Sequence, residues 1–294
     1  MIRATTFPTP RATTRVMLLG VLLAAASYFN AFAASPGTSS SWDGDSRAAV
    51  RLVAGNRQAG EPLRAGVEVR LASGWKTYWR YPGDSGVPPV FDFSKSDNVK
   101  SVSILWPAPH RFEYEGGASI GYKGDVMFPV HVVPADPHRP ATLRLTLAYA
   151  VCDKLCVPAR GQAELVLASA PSPYDSQLAA AEALTPKPTA IGDKTADHEP
   201  LSIASVRREP GQPHPRIVVE VTAPAAAPLD LFAEGPTSEW ALPLPESVDG
   251  APPGRRWFAF DLDGMPPGVD GTGAPLRFTL VSGQNAVEVT AVPK

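Results

Sequence analysis

From residue 48 onward the chain is written in short runs that alternate, or nearly alternate, apolar and polar positions. "AAVRLVAG", "AGVEVRLAS", "VKSVSILWP", "GDVMFPVHVV", "ATLRLTLAYAV" and "GQAELVLAS" follow one another with Gly or Pro in the gaps. A two-residue period repeated at short intervals predicts strands of an antiparallel sandwich. Leu143, Leu145 and Leu147 fall on one face of a strand, and Thr142, Arg144 and Thr146 on the other. That strand runs directly into "YAVCDKLCVPARG" (149–161), and a return strand is predicted over 163–167. The segment between them lies at a strand connection, where a sandwich displays its functional loops.

The alternation stops at "PSPYDSQLAAAEALTPKP" (171–188). Residues 174–184 are Ala-rich and bounded by Pro173 and Pro186, which predicts a short helix. The polar stretch 189–200 suits a linker. Strand patterns then resume as "LSIASVRRE", "RIVVEVTAP", "LDLFAEG", "RRWFAFDL", "LRFTLVSG" and "AVEVTAV". The predicted organisation is therefore all-β: one sandwich over 48–170, a linker with a helix over 171–198, and a second sandwich over 199–294. The second half holds no cysteine and no cluster of acids or histidines, so support, spacing or partner contact is expected of it.

The beginning of the chain changes the picture of where this fold works. Arg3, Arg11 and Arg15 precede an uncharged run, "VMLLGVLLAAASYF" (16–29), followed by "NAFAAS". A basic start, a short apolar run and an Ala-x-Ala site over Ala31 and Ala33 read as a secretory signal peptide, 1–33. The run is shorter than the roughly 20 residues that span a bilayer. Residues 34–47, rich in Ser and Gly, are expected to be a flexible leader. Export to a periplasm is the implied destination, and such an oxidising compartment lets neighbouring thiols pair. Composition adds little more. The 33 prolines and 24 glycines suit many turns, and a net charge of −2 gives no sign of nucleic acid or of an anionic membrane as partner.

Cys152 and Cys156 are the only cysteines of the chain. Three readings compete for them. As a structural staple they close a very short loop, which places the stabilisation at the low end of about 2–4 kcal/mol. As thiolates they suit Cu(I), but no His or Met stands next to them, and His131 and His138 lie upstream. As a reversible dithiol they offer a sulfur for exchange and a second one near enough to resolve the mixed disulfide. Lys154 between them favours a thiolate and Asp153 opposes it. The spacing, with three intervening residues, is not that of thioredoxin.

"GWKTYWRYPGDSGVPP" (74–89), "WPAPHRFEYEGGASIGYKGDVMFPV" (106–130) and "YAVCDKLCVP" (149–158) occur in that order. Together, over about residues 48–170, they resemble the N-terminal periplasmic domain of the thiol:disulfide interchange protein DsbD, and in particular its ScsB relatives of the suppressor-of-copper-sensitivity group. The resemblance implies an immunoglobulin-like fold, here two tandem sandwiches, and a redox-active pair formed by Cys152 and Cys156. It implies that Cys152 forms mixed disulfides with partners and that Cys156 resolves them. It further implies a cap over the pair, drawn from "RFEYEGG": Phe112 and Tyr114 as shielding aromatics and Glu113 as an acid assisting proton transfer. Core packing is the competing reading for Phe112 and Tyr114. Trp75, Tyr78 and Trp79 are expected in the core, with Tyr78 also lining the site.

The expected partners are a membrane-embedded electron donor of the DsbD/ScsB type and periplasmic acceptors that are thioredoxin-like or disulfide isomerases. Neither the family's multi-helix membrane domain nor its thioredoxin-like domain is found within these residues, so reduction by a separate membrane protein is expected. No organic cofactor and no metal ligand set is implied beyond the disulfide itself. Better-known family members space the two cysteines more widely. The competing functional reading is a non-enzymatic binding module in copper tolerance, with a permanent disulfide or a Cu(I)-binding pair.

Overall fold

The computed structural model describes residue 1 and residues 37–56, 60–167, 170–192, 201–223 and 228–294. The predicted signal peptide, apart from Met1, and residues 193–198 of the predicted linker lie outside the described residues. From residue 37 on, the described residues belong to one compact unit.

Among the described residues the first half contains eleven strands. They are β1 (Asp43–Gly44), β2 (Ala48–Ala54), β3 (Leu63–Leu71), β4 (Lys76–Gly83), β5 (Val90–Asp92), β6 (Val99–Ile104), β7 (His110–Tyr114), β8 (Gly117–Lys123), β9 (Val126–Pro134), β10 (Ala141–Cys152) and β11 (Cys156–Leu167). One sheet has the order β1-β2-β3-β9-β6, and the facing sheet has the order β11-β10-β4-β8-β7 with β5 pairing a stretch of β10. Their inner faces bury a shared core that includes Leu143, Leu145 and Leu147, the three leucines that the alternation placed on one face. The architecture is an immunoglobulin-like sandwich, as expected.

The return strand differs from the expectation. It begins at Cys156 rather than at residue 163, and it pairs with β10 without a break from Ala141↔Leu167 to Cys152↔Cys156. Val157, Ala159 and Ala163 supply enough alternation to extend the strand, and the exposed residues between them hid it from the hydrophobic pattern.

Residues 34–36 of the segment expected as a flexible leader lie outside the described residues, and the rest of it is bonded to the sandwich. Gly44 and Asp43 pair with Ala49 and Val50, and the Ser40 amide donates to the Leu52 carbonyl at 2.9 Å. The Trp42 ring lies between the Arg51 and Arg70 guanidinium groups, each 4.4 Å from its centroid. Two cations on one indole account for the order of a stretch whose composition reads as loose.

The predicted helix is present as α1 (Asp175–Ala183). It docks on the first sandwich: Leu178 is buried, Asp175 accepts from the Asn56 amide at 2.6 Å, and Glu182 receives a two-pronged hydrogen bond from Arg64. After it, β12 (Lys187–Pro188) joins the second half by pairing in parallel with β19. The described part of the expected linker is therefore held at both ends.

The second half contributes β13 (Ser202–Glu209), β14 (Arg216–Thr222), β15 (Asp230–Glu234), β16 (Glu246–Val248), β17 (Arg256–Asp261), β18 (Leu276–Ser282) and β19 (Asn285–Ala291). With β12 they form two four-stranded sheets, β12-β19-β18-β15 and β13-β14-β17-β16, around a core of their own. Phe232, Val281 and Ala286 of this half pack with the first core instead.

Leu147 anchors the strand that delivers Cys152. Leu147→Ala is expected to lower unfolding free energy by about 2–5 kcal/mol, read as a shift of the urea midpoint at unchanged slope.

Candidate redox site

Strand alternation decides which face of the second sheet carries chemistry. Along β10, Tyr149 and Val151 point into the core, so Ala150 and Cys152 point away from it. On β4, Trp79 enters the core while Tyr78 packs with Ala150 and Cys152 in a small cluster of their own. The site is thus built on the outer face of a sheet whose inner face is the hydrophobic core.

Cys152 and Cys156 are joined by a disulfide and stand directly opposite each other in the β10–β11 ladder, with Cα atoms 4.1 Å apart. The hairpin tip between them is exposed, and Leu155 keeps 77% of its surface. The Tyr78 hydroxyl lies 2.9 Å from Sγ of Cys152 and 3.1 Å from Sγ of Cys156. Disulfide sulfurs carry no hydrogen, so the hydroxyl is the donor. Burial, with a smaller contribution from Tyr114, raises the Tyr78 pKa above its ordinary value, and the phenol stays protonated at neutral pH.

Two glycines let this strand pair close around the sulfurs. A Cβ on Gly121 would stand 2.0 Å from the Thr77 carbonyl oxygen, so the close approach of β8 to β4 excludes any side chain there. Gly86, at φ 142°, passes over the Tyr78 ring with room for no Cβ. Thr77 completes the joint on the other side by donating to the Ala150 carbonyl at 2.9 Å.

A cavity of about 320 Å³ opens beside the disulfide, lined among others by Tyr78, Phe112, Tyr114, Asp153 and Lys154 together with both cysteines. Phe112 and Tyr114 are on β7 and share one face of it. Phe112 is half-buried beneath the Lys76 ammonium, which lies 4.6 Å from the ring centroid, a cation–π contact of about 0.5–1 kcal/mol. Tyr114 is 44% exposed, and its hydroxyl donates to Ser85 Oγ at 2.9 Å. Neither ring is in the core, so the core-packing reading of these two residues fails. The rings border the cavity beside the sulfurs.

Glu113 does not face the cysteines. It pairs with Ala118, between Phe112↔Ser119 and Tyr114↔Gly117, so the two-residue period turns it to the opposite face of β7. The acid that lines the cavity is Asp153. Lys76 and Thr77 also belong to the site, and no strand was predicted over 76–83. The signal lay in "GWKTYW", where Lys76 and Tyr78 are two apart and so share a face. The two histidines considered as extra ligands lie elsewhere. His131 is on β9 in the other sheet, 3.7 Å from Glu182, and His138 precedes the far end of β10.

The two cysteines are unequally exposed. Cys152 keeps 8% of its surface, whereas Cys156 is exposed. An incoming or attacking group meets Cys156 first. The sheet covers Cys152 on the Tyr78 side, while Cys156 opens the edge strand, and both cysteines line the cavity.

A cross-strand disulfide on the outer face of an immunoglobulin-like sandwich, hydrogen-bonded to a buried tyrosine, is an arrangement in which thiol–disulfide exchange can take place. Residues 47–168, which span the first sandwich, match the family model for the N-terminal domain of the thiol:disulfide interchange protein DsbD. The crystal structure of the N-terminal periplasmic domain of ScsB from Proteus mirabilis superposes with a TM-score of 0.67 at 22% identity, covering 88% of this chain and 99% of that one. That likeness extends the shared fold to the second sandwich. No curated protein matches the chain in sequence.

Removing the Tyr78 hydroxyl tests its hold on the sulfurs. A hydrogen bond to a thiolate contributes about 1.5–3 kcal/mol, and it favours the reduced form over the disulfide. Tyr78→Phe is therefore expected to make the reduction potential more negative by roughly 30 mV for each 1.4 kcal/mol lost, measured by equilibration with glutathione.

Proposed function

We propose that this protein is a periplasmic thiol:disulfide exchange protein that relays electrons through Cys152 and Cys156, from a membrane-embedded donor of the DsbD/ScsB type to thioredoxin-like or isomerase partners bearing a disulfide. The observation that carries the reading is the asymmetric pair at the open end of a hairpin, with one cysteine exposed, one buried, and the Tyr78 hydroxyl on both sulfurs. The family of the first sandwich supports exchange as the chemistry. The basic, apolar and Ala-x-Ala start supports export, and the matched ScsB domain is itself periplasmic.

In the reduced protein the Cys156 thiolate attacks one sulfur of the partner's disulfide. A mixed disulfide forms and the partner's other sulfur leaves as a thiolate. Cys152, as thiolate, then attacks Sγ of Cys156, the partner's second thiolate leaves, and the Cys152–Cys156 bond is restored. Two electrons have passed to the partner, which takes up two protons from water. Tyr78 donates its hydrogen bond to whichever of the two sulfurs carries negative charge, and Lys154 at the cavity wall supports the same charge. The donor regenerates the dithiol by the same steps in reverse. The roles of the two cysteines are thus exchanged relative to the family-based expectation.

A short loop and a surface position argue for exchange over stapling. The test is the potential of the pair together with trapping. The pair is expected to equilibrate with glutathione or dithiothreitol at a potential above about −300 mV. Cys152→Ser, which leaves Cys156 unopposed, is expected to accumulate a mixed disulfide with an oxidised thioredoxin-fold protein, and Cys156→Ser much less. Both variants are expected to keep the fold. A pair that stays oxidised throughout, with neither variant trapping a partner, would make the bridge structural. Trapping by Cys156→Ser alone would restore the opposite assignment.

A further inference from the structure

β4 does not stay in register with β8. Tyr78 pairs with Gly121 and Gly83 with Ser119, so residues 79–82 bulge out opposite a single residue of the neighbouring strand. A bulge leaves backbone without ladder partners and re-aims the side chains beside it. This one begins immediately after the tyrosine that touches both sulfurs.

The bulge is held by the second sandwich. The Trp79 ring packs against Phe232 with centroids 5.7 Å apart. Arg80 bonds Glu234 on β15 with a two-pronged contact of 2.9 and 2.7 Å and also bonds Glu288 on β19, and the Tyr81 hydroxyl donates to the Leu242 carbonyl. Burial works against the Arg80 charge, but the two carboxylates outweigh it and hold its pKa above the ordinary value. The edge strand of the same sheet is gripped as well. Arg111 on β7 reaches Asp230 at 3.2 Å and donates to the Pro245 carbonyl at 2.9 Å. Its neighbour Phe112 stands on the other face, beside the disulfide.

We propose that the second sandwich is a positioning element for the redox site, with Arg80 and Arg111 as positioning residues that fix Tyr78 and Phe112 beside the sulfurs. One face of β4 and β7 meets the second sandwich while the other presents the site. A shift in the grip must therefore move the hydroxyl and the ring together. A charged pair is suited to this because its two-pronged geometry fixes direction as well as distance. This inference rests on the reading of Cys152–Cys156 as an exchanging pair.

The test compares full-length wild type with Glu234→Gln, Arg111→Met and, as control, Val219→Ala, which opens the second sandwich's own core on β14. The readouts are the rate at which dithiothreitol reduces the disulfide at pH 7, the equilibrium with glutathione, and the urea midpoint. Glu234→Gln and Arg111→Met are expected to slow reduction about threefold to tenfold, because a displaced Tyr78 hydroxyl no longer stabilises the thiolate that leaves. Val219→Ala is expected to lower the midpoint while leaving the rate within about twofold. Folded Glu234→Gln and Arg111→Met proteins that react at the wild-type rate would overturn the proposal. So would a Val219→Ala protein slowed as much as they are, since general loosening would then suffice. A wild-type pair that dithiothreitol and glutathione leave oxidised would remove the exchange reading itself, and the proposal with it.

Discussion

The rule that successive side chains of a strand point to opposite faces governs this molecule more than any single contact. β10 and β4 each serve two masters through it. Their inner residues, Leu143, Leu145, Leu147 and Trp79, fill the core that holds the sandwich together. Their outer residues, Cys152 and Tyr78, meet on the far side of the same sheet. The site inherits its rigidity from the core without being part of it. A hydroxyl can stand about 3 Å from two sulfurs because both strands are locked in register by groups on the reverse face.

The same rule sorts the residues of β7. Phe112 and Tyr114 face the cavity, while Arg111 and Glu113 face the other way. For Arg111 that face is the second sandwich, so the second half of the chain touches the backs of the strands that carry the site. The buried group formed by Arg80, Glu234 and Glu288 is costly to desolvate and contributes little net stability on general grounds. Its two-pronged contact fixes direction as well as distance between β4 and β15.

The hairpin that carries the cysteines creates their inequality. Pairing of Cys152 with Cys156 across the ladder brings the sulfurs together, but β10 is flanked on both sides near that end and β11 lies at the sheet edge. One sulfur is therefore covered by β4 and Tyr78, and the other faces solvent. Sheltered and exposed sulfurs are what a resolving and an attacking cysteine require.

Periodicity and Pro boundaries within a few residues were enough to read the all-β class, the faces of the long strands and a helix over 174–184, which the fold forms over Asp175–Ala183. The sequence by itself also brought out the cysteine pair and the motif stretches around it, whose order marks the family of the first sandwich. Tertiary structure decided the rest. The strands β4, β7 and β8 have too little apolar alternation to announce themselves, since their outer faces serve the site and their bulge serves the second sandwich. Glu113 stood beside Phe112 in the sequence but faces away, because adjacency along a strand means opposition across it. The order of residues 37–47 came from cation–π and ladder contacts with residues far along the chain. Which sulfur is exposed depends on the sheet neighbours of each strand, and that is a property of the fold that no local stretch encodes.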